Sequence, residues 1–363
     1  MSVREAARSV VIFILPIFLS GCGGAVKPPS TPPPPVPPQR FAIVANQVTN
    51  TISTFAVDAQ TGFLTPKDML PTGGMMSRVI AVEPSGHFAY VENGDSNDIS
   101  IFALDANTGR LRMVGSPVPG GSAPRFIAVG PSGNRLYEVN QDANSITGFS
   151  IDAGTGTLTP LDGSVTTDDK PVELRFHPSG QFAYVVNNIS GDITVYRVDS
   201  SGALGLLGSV PVRTNPTSMA IDPSGRFAYV TNFSTNDIST FSIDKTTGAL
   251  TPIGDAVPTE DGPNSIVVDS RGRFAYVTNA LVDKVSVFAI DAGTGTLTEA
   301  STTSARRLPI ALTLEPSGKF AYVAGFSSGD VTAFTVNSNT GALMPTGTPA
   351  NTGTGSAFIA FSR

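Results

Sequence analysis

Two charged residues interrupt an apolar segment near the middle of the chain. In "PVELRF", residues 171–176, Glu173 and Arg175 are separated by one residue. Residues i and i+2 of a β-strand share a face, so the carboxylate and the guanidinium would lie side by side. Such a pair binds a polar ligand or moves protons; alternatively, it is a structural ion pair that fills space. Glu173 and Arg175 are therefore the candidate catalytic residues, with both interpretations open.

Five further residues are candidates for ligand binding. Two are arginines near the start of apolar segments, one is a glutamate where related segments have valine, and two are asparagines after a strand-like segment. Each kind also has a structural interpretation: exposed positions for the arginines, a local pair with Arg135 for the glutamate, and bonds to loop amides for the asparagine that ends the strand. The five are Arg78, Arg125, Glu138, Asn187 and Asn188.

Metal-dependent and cysteine-dependent chemistry has little support in the sequence. The chain has two histidines, His87 and His177, both beside turns, and one cysteine, Cys22. No loop has the regular acidic spacing of a calcium site. "GFSSG", residues 325–329, matches a nucleophile motif, but it falls between two strands and not between a strand and a helix. We predict no metal and no cofactor.

The candidate residues lie in a pattern that repeats along the chain. "RFAYVTN" occurs at 226–232 and 273–279, with looser copies at 87–93, 181–187 and 319–325. The aromatic position recurs at a near-constant period of about 46 residues, which indicates a repeat architecture. The seven occurrences are Ile43, Tyr90, Tyr137, Tyr184, Tyr229, Tyr276 and Tyr322.

Each repeat reads as four short strands separated by turns of the types P-S-G and D-x-x-T-G. The third run, such as "ISIFALD" at 99–105, is apolar on both faces, so both faces of each sheet must be covered. Four-stranded sheets that are set radially and packed face to face meet this need. The sequence therefore predicts an all-β fold, a seven-bladed β-propeller of antiparallel blades.

The two ends of the repeat region predict how the ring closes. The region opens with "RFAIVAN" at 40–46, which corresponds to a second strand, and finishes with "SAFIAFS" at 356–362, which corresponds to a first strand. We expect the C-terminal strand to complete the N-terminal blade, because this removes the free sheet edges.

The motif, the period and the number of units resemble those of lactonase-like seven-bladed propellers, which include 6-phosphogluconolactonases, and of YVTN-repeat propellers of bacterial surface proteins. The resemblance covers residues 40–363. It implies an active site on the face where first strands begin and second strands end. One blade of the family supplies a Pro-Arg-His segment, a His-Pro turn and an Asn-Glu pair there.

Residues 170–188, "KPVELRFHPSGQFAYVVNN", correspond to that family segment. The arginine, histidine and glutamate of the family are replaced here by Val172, Glu173 and Asn188. The resemblance therefore implies the fold, and the replacements argue against phosphogluconolactone hydrolysis by the family's mechanism. The positions that do match are Pro171, His177, Pro178 and Asn187.

The first forty residues predict export and lipid attachment. Two arginines precede an apolar run at 10–19 that is too short to span a bilayer. "LSGC" at 19–22 resembles the lipobox of bacterial lipoproteins, whose cysteine is lipidated; the alternative is a chance cysteine after an ordinary signal peptide. A stiff, proline-rich stretch follows. The predicted segments are a signal peptide at 1–21, a lipid-anchored stem at 22–39 and the propeller at 40–363.

Two functions remain after these arguments. The formal net charge of −6, without a basic patch, argues against nucleic acid as a partner. The leading hypothesis is an extracytoplasmic, membrane-anchored propeller of the cell envelope, in the outer membrane, that binds a small molecule or a protein. The alternative is a lactonase-type hydrolase that acts on a lactone or sugar derivative through Glu173, Arg175 and Arg125.

Overall fold

A computed structural model describes residues 39–362 of the chain. The predicted signal peptide, Cys22 and nearly all of the stem lie outside the described residues. Between residues 39 and 362 the secondary structure consists of β-strands and turns. That part of the chain contains no helix long and apolar enough to cross a membrane.

Thirty strands form seven antiparallel sheets, the blades of the propeller. The strands are, in blade 1, β1 (Arg40–Asn46), β2 (Thr51–Val57), β3 (Leu64–Pro71) and the last strand, β30 (Ser356–Phe361); in blade 2, β4 (Ser77–Val82), β5 (Phe88–Asn93), β6 (Asp98–Leu104), β7 (Leu111–Met113) and β8 (Val118–Pro119); in blade 3, β9 (Pro124–Val129), β10 (Arg135–Asn140), β11 (Ser145–Ile151) and β12 (Leu158–Thr166); in blade 4, β13 (Pro171–Phe176), β14 (Phe182–Asn187), β15 (Asp192–Val198) and β16 (Leu204–Pro211); in blade 5, β17 (Pro216–Ile221), β18 (Phe227–Asn232), β19 (Asp237–Ile243), β20 (Leu250–Pro252) and β21 (Val257–Pro258); in blade 6, β22 (Pro263–Val268), β23 (Phe274–Asn279), β24 (Lys284–Ile290) and β25 (Leu297–Ser304); in blade 7, β26 (Pro309–Leu314), β27 (Phe320–Gly325), β28 (Asp330–Val336) and β29 (Leu343–Asn351).

The first strand of every blade lies at the centre of the ring. Successive first strands contact one another all the way round, from β4 through β26 to β30 and back to β4. Second, third and fourth strands follow outward in chain order. The fourth strand is split into two short pieces in blades 2 and 5. The prediction of seven radial, four-stranded blades is confirmed.

The ring closes through the last strand, as the sequence predicts. β30 pairs antiparallel with β1, with Ala42 opposite Phe361 and Val44 opposite Ile359. The N-terminal blade thus obtains its innermost strand from the other end of the described chain. Since β1 and β30 each lack a neighbour within their own repeat, pairing satisfies backbone groups that a sheet edge would leave open.

Each "FAYV" strand connects two blade interfaces. In blade 7, the Tyr322 hydroxyl donates to the carbonyl of Gly62 in blade 1 at 2.8 Å. A Cβ on Gly62, which has φ +74°, would come within 2.5 Å of the Phe320 ring. On the opposite face, Ala321 and Val323 pack with the core of blade 6. The aromatic face therefore packs on the following blade and the Ala-Val face on the preceding one.

Candidate functional site

A cavity of about 320 Å³ opens at the centre of the ring. Its wall contains residues near the beginning of the first strands, together with Gln47, which follows the second strand of blade 1. It therefore lies on the face that the family resemblance implies. The charged part of the wall comes from blades 2 to 4, uncharged polar residues come from blades 5 and 6, and apolar residues from blades 7 and 1. In that order they include Arg78, Arg125, Glu173 and Arg175; Thr217, Ser218, Asn264 and Ser265; Ile310, Leu312 and Phe358.

Glu173 and Arg175 form the side-by-side ion pair that the strand spacing predicts. Both also hold the first strand of blade 5: the Met219 amide donates to Glu173 Oε2 at 2.6 Å, and Arg175 Nε donates to the Met219 carbonyl at 3.1 Å. The Arg175 guanidinium lies 5.6 Å from the centre of the Phe126 ring. The pair thus faces the cavity and at the same time fixes the position of the next blade.

The arginines of blades 2 and 3 have a different environment. Among the described residues, neither Arg78 nor Arg125 forms an ion pair within 4.0 Å. Arg78 Nη2 donates to the sulfur of Met76 at 2.9 Å, and its buried Nε meets no acceptor. Burial and the nearby charge of Arg78 lower the pKa of Arg125, while the charges of Glu92 and Glu173 act in the opposite direction. Two guanidinium groups therefore face the cavity without a carboxylate partner within 4.0 Å among the described residues.

Two carboxyl groups are buried in the second strands of blades 2 and 3. Glu92, on β5, and Glu138, on β10, have no exposed surface. Burial raises the pKa of Glu92 to about 8, against the opposing charges of Arg78 and Arg125. Burial likewise raises the pKa of Glu138 to about 7, although the Gly121 amide donates to its Oε2 at 2.6 Å. Both groups hold a proton at a pH where an exposed glutamate does not.

The remaining predicted site residues lie at different depths. Glu138 is outside the cavity wall, in the interface between blades 2 and 3. Asn187 is buried, and its Nδ2 donates to Asp192 and Thr194 at 2.7 Å. Asn188 lines a smaller recess beside Arg125, where its Nδ2 donates to the Pro216 carbonyl at 2.9 Å. Their assignment to ligand binding stays a prediction.

Two of the structural alternatives need correction. Arg135 packs against Gly202 of blade 4, whereas Glu138 packs against Gly120 at the blade 2 side, so the pair between them does not form. The reason is geometric, because residues three apart in a strand point to opposite faces. The strand-ending asparagines bond to side chains at the start of the third strand, and not to loop amides, as Asn93 does with Asp98 and Ser100.

The histidine that matches the family segment is a turn residue in this chain. His177 is buried, and its Nε2 lies 2.9 Å from the Gly225 carbonyl of blade 5. Its Nδ1 lies 2.7 Å from the hydroxyl of Ser179. His177 therefore joins two blades and does not line the cavity.

Glu92 is the residue that the sequence reasoning missed. It occupies the last position before the terminal asparagine of a "FAYV" strand, where the other repeats have only small or apolar residues or threonine. The same comparison between repeats that found Glu138 would have found Glu92. The equivalent residues are Ala45, Val139, Val186, Thr231, Thr278 and Ala324.

Comparisons with known proteins agree on the architecture. The sequence matches the family described as lactonase, 7-bladed beta-propeller, over residues 36–123, 121–263 and 255–360. No curated protein matches the chain. Among solved structures, the periplasmic gluconolactonase of Pseudomonas aeruginosa has a TM-score of 0.80 at 19% identity, covering 90% of this chain and 99% of that one.

Two other similar structures have different names. A proposed 6-phosphogluconolactonase of Bacteroides uniformis has a TM-score of 0.80 at 22% identity, over 89% of this chain and 99% of that one. A chain of Kuenenia stuttgartiensis hydrazine synthase has a TM-score of 0.62 at 20% identity, over 81% and 94%. Likeness at this level of identity shows the fold, and the reaction must be argued from the site itself.

Proposed function

Since this chain belongs to the lactonase family of seven-bladed β-propellers, we propose that it binds a small, negatively charged, hydroxyl-bearing molecule in its central cavity. The observation that carries the proposal is that Arg78 and Arg125 face the cavity with no carboxylate of the described chain within 4.0 Å. A buried or half-buried guanidinium is stable when an acceptor satisfies it, and a carboxylate or phosphate matches its geometry.

The rest of the cavity wall fits the same class of ligand. Opposite the arginines, Ser218, Asn264 and Ser265 offer hydroxyl and amide groups to which the hydroxyls of a ligand can bond. The apolar residues of blade 7 complete the wall. A cavity of about 320 Å³ is at the lower end of the range for small-molecule sites, which is about 300–1,000 Å³.

Binding is a better account of this cavity than hydrolysis by the family's mechanism. The family's arginine, histidine and glutamate are replaced by Val172, Glu173 and Asn188. Glu173 is already bonded to Arg175 and to the Met219 amide, so its proton-accepting oxygens are occupied. A lactone hydrolase is the second candidate, and the presence of Glu173 in the cavity wall is the observation that favours it.

The location of the protein is part of the proposal. The lipobox-like segment at 19–22 supports a lipid-anchored, extracytoplasmic protein of the cell envelope. The described chain begins next to Arg40, at the end of β1 that is remote from the cavity mouth, whereas Gln47 at the other end lines the cavity.

The binding site is tested by calorimetric titration of residues 39–363, whose ring closes on itself, with D-gluconate and with sulfate. We expect Arg125→Ala to weaken gluconate binding by about 10- to 150-fold, because a hydrogen bond to a charged group contributes about 1.5–3 kcal/mol. Arg112→Ala, on the exposed face of β7, is the matched control and should bind as the unmodified protein does. If neither anion binds, or if both variants bind alike, the proposal is wrong.

The hydrolase alternative and the anchor have their own tests. If the protein accelerates the release of protons from gluconolactone, and if Glu173→Gln abolishes this acceleration, the hydrolase is favoured. In the full-length protein, Cys22→Ser should move the propeller from the membrane fraction to the soluble fraction. Continued membrane association of that variant would refute lipid attachment.

A further inference from the structure

Glu92 and Glu138 face each other across the interface between blades 2 and 3. Glu92 is two residues after Tyr90, so it lies on the aromatic face of β5, which packs on blade 3. Glu138 directly follows Tyr137, so it lies on the opposite face of β10, which packs on blade 2. The negative charge of Glu138 reaches Glu92 and raises its pKa.

The charges that act on Glu92 come from three strands on the cavity side and across the blade interface, whereas the neighbouring β6 places the apolar Ile99 opposite it. Arg78 on β4 and Arg125 on β9 act on Glu92 with positive charge, and Glu138 on β10 with negative charge. Further away, Asp98 acts on Glu138, and Glu173 acts on Arg125. Both oxygens of Glu92 are buried, and only the Val79 amide approaches them, without forming a well-aligned hydrogen bond. Among its neighbours, the opposing charges of Arg78 and Arg125 lower the pKa of Glu92 more than this amide does.

The guanidinium groups of Arg78 and Arg125 line the cavity, and their positive charges also act on the buried Glu92. When Glu92 is ionised, it neutralises one of their two charges from behind. When Glu92 is protonated, both charges remain for an anion in the cavity. An anion bound there and the Glu92 carboxylate are therefore alternative counter-ions, and each disfavours the other.

From this arrangement we infer that Glu92 is the internal counter-ion of the anion site, so that the anion binds to the form of the protein in which Glu92 is protonated. The inference rests on the proposed function, because it concerns the same pair of arginines. It adds a property that the cavity wall alone does not give: the affinity depends on the protonation of a residue that the ligand does not touch.

The direction of the pH dependence follows from linkage. Because the pKa of Glu92 in the free protein is about 8, the group is protonated below pH 8, and the anion binds without proton uptake. Above pH 8 the free protein has lost this proton and must regain it on binding, so affinity falls by up to tenfold per pH unit. The fall ends where the pKa of the liganded state is reached.

The test is a calorimetric titration with D-gluconate, whose carboxylate is ionised throughout, between pH 6 and 9.5. We expect binding that is constant to about pH 8 and about tenfold weaker at pH 9. Glu92→Gln, which fixes the neutral form, should lose this dependence and bind about tenfold more tightly than the unmodified protein at pH 9. Glu299→Gln, an exposed carboxyl on β25, is the control and should keep the dependence.

Other outcomes separate this inference from the proposed function. Gluconate binding with no pH dependence, or with the same dependence in Glu92→Gln, overturns the inference and leaves the anion site standing. If gluconate and sulfate do not bind at any pH, the proposed function falls, and infrared spectroscopy of the free protein decides about Glu92. In the Glu138→Gln background, a protonated-carboxyl band at pH 7 that further Glu92→Gln removes supports the internal counter-ion, and the absence of such a band from Glu138→Gln overturns it. Glu92→Thr, which introduces the residue of blades 5 and 6, replaces the glutamine variant if that one fails to fold.

Discussion

Blades 2 to 4 and blades 5 to 7 are built on the same repeat, yet only the first group has charged residues at buried or cavity-facing places of its first and second strands. In the second group, these strands have apolar residues, serine, threonine or asparagine at the equivalent places. The charged positions are Arg78, Glu92, Arg125, Glu138, Glu173 and Arg175; their counterparts in blade 6 include Thr278, Val277 and Ser265.

This difference separates the residues that make the ring from those that make the site. Blades 5 and 6 show that the fold needs no charge at these places. Their second strand, "FAYVTN", fills the interfaces with the preceding and the following blade without any charged residue. A buried carboxylate or guanidinium has a desolvation cost that an apolar core does not have. Blades 2 to 4 contain such charged groups on one side of the cavity despite their desolvation cost. This is the pattern expected of a functional region.

The largest effect is expected when a buried carboxyl group of blades 2 to 4 is introduced at the equivalent place in one of blades 5 to 7, the regular blades. Val277 of blade 6 occupies the place that Glu138 has in blade 3, and it has no exposed surface. Val277 packs in an apolar cluster with Tyr229 and Ile238 of blade 5, so Val277→Glu should lower the free energy of unfolding by about 3–5 kcal/mol at pH 8. Denaturant unfolding followed by circular dichroism measures it.

Val277→Met is the control for a change of size, and it should cost less than about 1.5 kcal/mol. Glu138→Val, the reverse exchange, should leave stability unchanged or raise it. An equal loss in Val277→Glu and Val277→Met would show that the two groups of blades do not differ in their tolerance of charge.

The sequence predicted the ring more completely than it predicted the site. The period of the tyrosines and the unpaired segments at 40–46 and 356–362 determine blade number and closure, because both follow from local pairing. Glu138 was recognisable since every other repeat has valine there. Glu92 was not recognised, because its position varies among alanine, valine and threonine. Nothing in the local sequence shows that Glu173 would bond to the Met219 amide, since that contact depends on the spacing between two blades.

The second prediction concerns the pH dependence of stability. The pKa of Glu92 is raised to about 8 and that of Glu138 to about 7 in the folded protein. The folded state therefore keeps protons that the unfolded chain loses near pH 4.5, and stability falls as pH rises from there to about 8. We expect a loss on the order of 3–4 kcal/mol between pH 6 and 8.

Thermal unfolding at several pH values measures this loss. The double variant with Glu92→Gln and Glu138→Gln should be nearly independent of pH over the same range, because the regular blades have no comparable group. If the double variant loses as much stability as the unmodified protein, the two carboxyl groups are not the cause.

The third prediction compares one contact in its charged and its uncharged form. The Met219 amide donates to Glu173 at 2.6 Å, and one blade further the Ile266 amide donates to the Ser218 hydroxyl at 3.3 Å. Glu173→Ala also leaves Arg175 unpaired and should cost about 1.5–3 kcal/mol, whereas Ser218→Ala should cost about 0.5–1.5 kcal/mol. Chemical denaturation of both variants decides it, and equal costs would mean that the ion pair adds nothing to the contact.

The smallest effect concerns the aromatic face that all blades share. The Tyr322 hydroxyl donates to the Gly62 carbonyl at 2.8 Å where the ring closes, whereas the buried Tyr276 hydroxyl has no hydrogen-bond partner among the described residues. Tyr322→Phe should therefore cost about 0.5–1.5 kcal/mol, and Tyr276→Phe should be neutral or slightly stabilising. Both variants keep the ring and its packing, so the difference between their denaturation midpoints reports only the hydroxyl. A similar loss in both would show that the tyrosines act alike in every blade and that closure has no special dependence on this bond.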